Sequence, residues 1–80
     1  MHLSRAEKNV LLSGIGVELR RRREKLGISR GALAAKAGVH ANVIGRIERG
    51  EYNATILVLH AIAGALDASV IKLLEKSTDR

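Results

Sequence analysis

The sequence contains no cysteine and no proline, and Tyr52 is its only aromatic residue apart from His2, His40 and His60. Without thiols the chain builds neither a disulfide framework nor a thiolate zinc site, so nothing in it requires an oxidising compartment. Without aromatics it lacks the stacking platforms on which single-strand readers hold bases. Its core has to come from Leu, Ile, Val and Ala. No stretch shows sustained alternation of apolar and polar residues, so no strand is predicted. No apolar run approaches the roughly 20 residues of a membrane span, and Met1-His2-Leu3-Ser4-Arg5 does not lead into a signal-peptide stretch. The expected compartment is the cytoplasm. The 80 residues predict a single domain, 1–80, with no room for a substrate domain beside a cofactor domain.

Charge is present, but in one half. The formal net charge is +6, from 14 basic and 8 acidic side chains. Met1 to Glu51 holds 11 basic and 5 acidic residues, and Tyr52 to Arg80 holds 3 of each. Between Tyr52 and Ile71 the one formal charge is Asp67. Localised positive charge points to a polyanion such as nucleic acid. An anionic membrane surface ranks below it, because the first segment lacks Trp and Phe. The densest run is Arg20-Arg21-Arg22-Arg23. Consecutive helical residues point 100° apart and cannot form one flat patch, so this run reads as a solvated face plus one structural ion pair.

Five helical segments emerge. Ser4-Arg5-Ala6-Glu7 matches a capping box, followed by Val10, Leu11, Ile15, Leu19 and Leu26 as an apolar stripe. Gly14 and Gly16 interrupt it, so this is either one helix from Arg5 to Leu26 or an arm followed by a helix from about Gly14. Gly27 ends the segment. Ser29 caps a second segment over Arg30 to Ala37, with Leu33, Ala34 and Ala37 inward. A third begins at His40 or Ala41, turns Ile44 and Ile47 inward and stops at Gly50. Thr55 caps a fourth, with Ile56, Leu59, Ile62, Ala63 and Leu66 on one face. Ser69 caps a fifth, with Val70, Leu73 and Leu74, and Lys76 to Arg80 are expected to fray.

The informative stretch is Arg30 to Arg49. Two helices joined by a turn of three or four residues cross steeply. The crossing admits only a small side chain, Ala34, and the turn needs a residue tolerant of positive φ, Gly38. Val39, Ile44 and Ile47 anchor the second helix of the pair on Leu33 and Ala37. Ala41, Asn42, Gly45, Arg46 and Arg49 are left facing outward. A helix so presented fits the major groove of duplex DNA.

Those residues, with Ile15-Gly16, Leu19-Arg20, Arg23, Leu26-Gly27-Ile28-Ser29, Ile47-Glu48-Arg49-Gly50, Leu59 and Ile62-Ala63 to Ala65-Leu66, carry a resemblance. The chain is similar to the phage repressor and Cro-type helix-turn-helix proteins, over roughly Ile15 to Leu74. The resemblance implies an all-α, compact five-helix, lambda-repressor-like DNA-binding domain, acting as a homodimer on pseudo-palindromic double-stranded DNA. It looks most like the short stand-alone regulators, among them phage repressors, restriction-modification controller proteins and antitoxins. The resemblance implies that Arg23 pairs with Glu48 structurally. It places Ala41, Asn42, Val43 and Arg46 at base-facing positions, and Arg30, His40, Arg49, Tyr52 and Asn53 near the phosphate backbone. Gly45 departs from the pattern, since a contacting side chain is usual there, and Ala54 replaces a usual proline.

Other groups read blandly. The three histidines lie apart without carboxylate partners at ligand spacing, so no metal site is expected. Glu18 and Glu24 read as solvated charges, not a catalytic pair. Ser13, Ser29 and Ser69 read as caps or loop residues. No enzyme activity, cofactor or small-molecule effector is expected. Leu57, Val58, Ile71 and Leu74 read as dimer contacts, with a wider intramolecular core as the alternative. The functional alternative is an antitoxin or interaction module that masks a partner protein, with DNA binding secondary.

Overall fold

A computed structural model of the chain describes residues 2–78. Five helices follow one another: α1 (Arg5–Lys25), α2 (Arg30–Ala37), α3 (Ala41–Glu48), α4 (Ile56–Ala65) and α5 (Val70–Thr78). Among the described residues there is no strand. Short polar side chains start the helices. Ser4 Oγ accepts the Glu7 N–H and the Glu7 carboxylate accepts the Ser4 N–H, each at 3.0 Å; these bonds hold the Glu7 carboxyl below its ordinary value. Ser29, Thr55 and Ser69 accept the amides of Ala32, Val58 and Lys72 in the same way. Gly38 ends α2 with φ +73°, the left-handed conformation its position requires.

The core gathers from all five helices. Leu19, Leu33, Ile44, Ile47, Ile62 and Leu73 are almost wholly buried. Each contributes about 1.5–3 kcal/mol of transfer free energy. α1 packs on α3 and α5, α2 on α3 and α4, and α4 on α5. Ala34 of α2, the small residue expected at the crossing with α3, is 2% exposed in the core.

α1 is one continuous helix of 21 residues. Its glycines serve packing. A Cβ on Gly14 would stand 2.6 Å from the Ser77 carbonyl oxygen, and one on Gly16 would stand 2.7 Å from the Glu48 carbonyl oxygen. α1 therefore meets the C-terminal ends of α3 and α5 at backbone contact, which offsets the roughly 1 kcal/mol each glycine costs in helix propensity. A 21-residue helix spans about 32 Å, close to the 35 Å long axis of the molecule.

Several expectations are corrected. Val10, Leu11 and Leu26 are exposed, because every residue of the first turns of α1, through Leu11, is open to solvent and Leu26 lies at the cap where the chain turns away. Ile15 and Leu19 carry the buried stripe. Ile56, in the first turn of α4, is exposed, whereas Leu59, Ile62, Ala63 and Leu66 are buried. Lys76 does not start a frayed tail: α5 runs to Thr78, and the Ser77 hydroxyl, buried, donates to the Leu74 carbonyl at 2.8 Å. Asp79 and Arg80, also assigned to that tail, lie outside the described residues. No single helix among those described is long and apolar enough to cross a membrane.

Candidate nucleic-acid interface

α3 lies with Ile44 and Ile47 in the core. Ala41, Asn42, Arg46 and, at the C-cap, Arg49 are exposed. Val43 is half-buried and packs against the core cluster. His40 occupies the N-cap position, exposed, and its side chain makes no capping bond. The Arg46 guanidinium sits 5.0 Å from the centroid of the Tyr52 ring. Facing a cation with the negative face of a ring favours that orientation by about 0.5–1 kcal/mol at an exposed site. The lone aromatic of the chain thus orients the central arginine of the exposed helix. Asn53 follows Tyr52, exposed.

Behind this surface lies an ion-pair cluster. Arg23 donates to both Glu48 oxygens, Nε to Oε2 at 2.6 Å and Nη2 to Oε1 at 3.1 Å, and its Nη1 donates to the Ile28 carbonyl at 2.9 Å. Arg30 Nε donates to Glu48 Oε1 at 2.9 Å. One buried carboxylate therefore joins α1, α2 and α3. Burial pushes the Glu48 carboxyl up, but the hydrogen bonds and charges of Arg23 and Arg30 outweigh it and hold it below its ordinary value. The Arg30–Glu48 bond spans 18 residues, and nothing in the sequence pattern signals it.

The arginine run is paired throughout. Arg20 binds Glu24, Arg21 and Arg22 both bind Glu18, and Arg23 binds Glu48. Glu18 is not a solvated charge: its side chain is 1% exposed, held by Arg21 in a two-bond fork at 3.0 and 2.7 Å and by Arg22 at 2.7 Å. Gly45, expected to face outward, is covered on that side. Gly45 is buried, because Arg30 and Arg49 lie over it. Arg49 Nε also donates to Glu51 at 3.1 Å.

The proposed dimer residues divide. Leu57 and Ile71 are 77% and 66% exposed. Val58 and Leu74 are half-buried against the chain's own core.

Two packed helices joined by a short turn at Gly38, an exposed face on the second and a basic margin define a helix-turn-helix unit. Residues 19–73 match the helix-turn-helix family HTH_3. The chain belongs to that family of DNA-binding transcription regulators. Solved structures agree. The restriction-modification controller protein C.AhdI from Aeromonas hydrophila is 32% identical, with a TM-score of 0.76 over 78% of this chain and 94% of that one. The clp gene regulator ClgR from Corynebacterium glutamicum is 28% identical, with a TM-score of 0.82 over 86% of this chain and 73% of that one. An HTH_3 family transcriptional regulator from Vibrio cholerae is 35% identical, with a TM-score of 0.79 over 85% of this chain and 38% of that longer one. No curated protein matches the chain.

Proposed function

We propose that the chain is a sequence-specific regulator that binds double-stranded DNA as a homodimer on a pseudo-palindromic operator. The observation that carries this is the exposed face of α3, with Arg46 steered by Tyr52. An arginine so held can fork onto guanine O6 and N7, Asn42 can bond adenine or a phosphate, and Ala41 offers an apolar surface to a thymine methyl group. Val43, half-buried, has only its outer edge for base contact. Arg30, His40, Arg49, Tyr52 and Asn53 flank the helix as phosphate contacts, which set register without reading sequence.

The second copy is argued from surface chemistry. Leu57 and Ile71, with Ile56 next to Leu57 in sequence, are large apolar residues left open on the half of the chain that carries no net charge. A second copy would cover them, with Val58 and Leu74 at the margin. One half-site contact is too weak for specific control, and two joined half-sites are not. Similarity to the restriction-modification controller C.AhdI favours a regulator of that type.

Selection from a random duplex pool tests the reading. Recovery of a motif with two-fold symmetry, its halves one helical turn or a multiple apart, is the expected result. A motif without symmetry would overturn the dimeric operator. No enrichment over the starting pool would overturn DNA recognition.

A further inference from the structure

Gly45 sits mid-way along α3, the helix proposed to enter the groove, where glycine costs helix propensity, and no backbone contact requires it there. At Gly14 and Gly16 an added Cβ would meet backbone carbonyls. At Gly45 it would meet only the side chains of two half-exposed arginines, 3.1 Å from Arg49 Nη1 and 3.7 Å from Arg30 Cδ. The space is used by side chains arriving from outside the helix. Arg30, the first residue of α2, lays its stem over the glycine and reaches on to Glu48 through Nε at 2.9 Å. Arg49 reaches the same spot from the C-cap of α3, with its Nε on Glu51 at 3.1 Å.

The two arginines thus approach one point on α3, Arg49 with its guanidinium and Arg30 with its stem. Here each is fastened to a carboxylate, and each through Nε alone. Among the described residues nothing accepts from the Nη atoms of either guanidinium. Two forks tethered in this way suit one tetrahedral, doubly coordinating oxyanion.

We propose, on the basis of the DNA-binding reading above, that Gly45 is a positioning residue: its missing side chain seats Arg30 and Arg49 together on the recognition helix as one site for a single DNA phosphodiester. Binding of the whole chain to a selected operator duplex and to a random-sequence duplex, measured over a series of salt concentrations, tests this. The slope of log K against log salt falls by about 0.9 for each phosphate that is no longer neutralised. The double variant Arg30→Ala/Arg49→Ala is expected to lose about 0.9 of slope on both duplexes, where two independent phosphate sites would lose about 1.8. Gly45→Leu is expected to lose the same amount alone, to lose nothing further when added to the double variant, and to melt no lower than the double variant. A double-variant loss near 1.8, the parent's slope in Gly45→Leu, or a further loss on adding Gly45→Leu to the arginine variant would each overturn the proposal. A parent chain that binds neither duplex at low salt would overturn the DNA-binding reading itself, and the phosphodiester site with it.

Discussion

Gly16 lies so close to Glu48 that a Cβ on it would stand 2.7 Å from the Glu48 carbonyl oxygen. Backbone lines both sides of that contact, so neither helix can give way cheaply. Gly16→Ala is therefore expected to lower stability by about 1–3 kcal/mol, the usual cost of overpacking, although alanine is the better helix former. Gly64 is the control: it is exposed in α4 and an added Cβ there meets nothing within 4 Å. Gly64→Ala is expected to raise stability by about 0.5–1 kcal/mol. Urea denaturation of the two variants checks the opposite signs.

Glu48 makes stability depend on acid. Its folded-state pKa lies below the ordinary value of 4.5, because Arg23 and Arg30 favour the carboxylate more than burial opposes it. A depressed carboxyl contributes its stability above the unfolded pKa and loses it as pH falls through the folded one. The contribution is thus whole at neutral pH and declines progressively below about pH 4.5. Glu48→Gln, which leaves Arg23 poorly compensated, is expected to cost about 3 kcal/mol at pH 7 and to flatten the acid limb of a plot of stability against pH. An acid limb as steep as the parent's would remove Glu48 from this role.

Arg46 is expected to read one base. Arg46→Ala should weaken operator binding by about 1–3 kcal/mol and relax preference at a single position of the selected motif. Tyr52 is expected to act through it. Tyr52→Phe keeps the ring and should lose only what the hydroxyl gives at the phosphate, while Tyr52→Leu should lose about 0.5–1 kcal/mol more, and no more than Tyr52→Phe does when Arg46 is already alanine. Titrations of a labelled duplex with the four variants close this cycle.

Leu57 and Ile71 are expected to hold the second copy. Both are mostly exposed in the single chain, so Leu57→Lys and Ile71→Lys should change its intrinsic stability by no more than about 0.5 kcal/mol. Sedimentation equilibrium should show each variant as a monomer. Affinity for a two-site operator should fall roughly a hundredfold, because the second half-site is no longer tethered. Dimers of undiminished strength would place the interface elsewhere.

Local chemistry made much of the fold legible. The caps at Ser4, Ser29, Thr55 and Ser69 depend on residues three apart in sequence, and Gly38 depends on its own φ. The corner of Leu33, Ala34, Ile44 and Ile47 follows from helical spacing. Features that depend on distant chain were not legible. Gly14 and Gly16 read as weaknesses in a helix because the carbonyls they approach, those of Ser77 and Glu48, lie tens of residues away. Glu18 read as solvated because charge usually is, whereas two arginines one turn further on compensate it in place. Gly45 read as a gap in the reading face; it is filled by Arg30 and Arg49, whose reach no periodicity records.

A single carboxylate that fastens the first three helices leaves the third no hinge of its own. A third helix anchored in this way adapts little, so mismatch of curvature falls on the double helix. Operators rich in pliable pyrimidine–purine steps would bend to fit at least cost, so base pairs that no side chain touches would still be under selection.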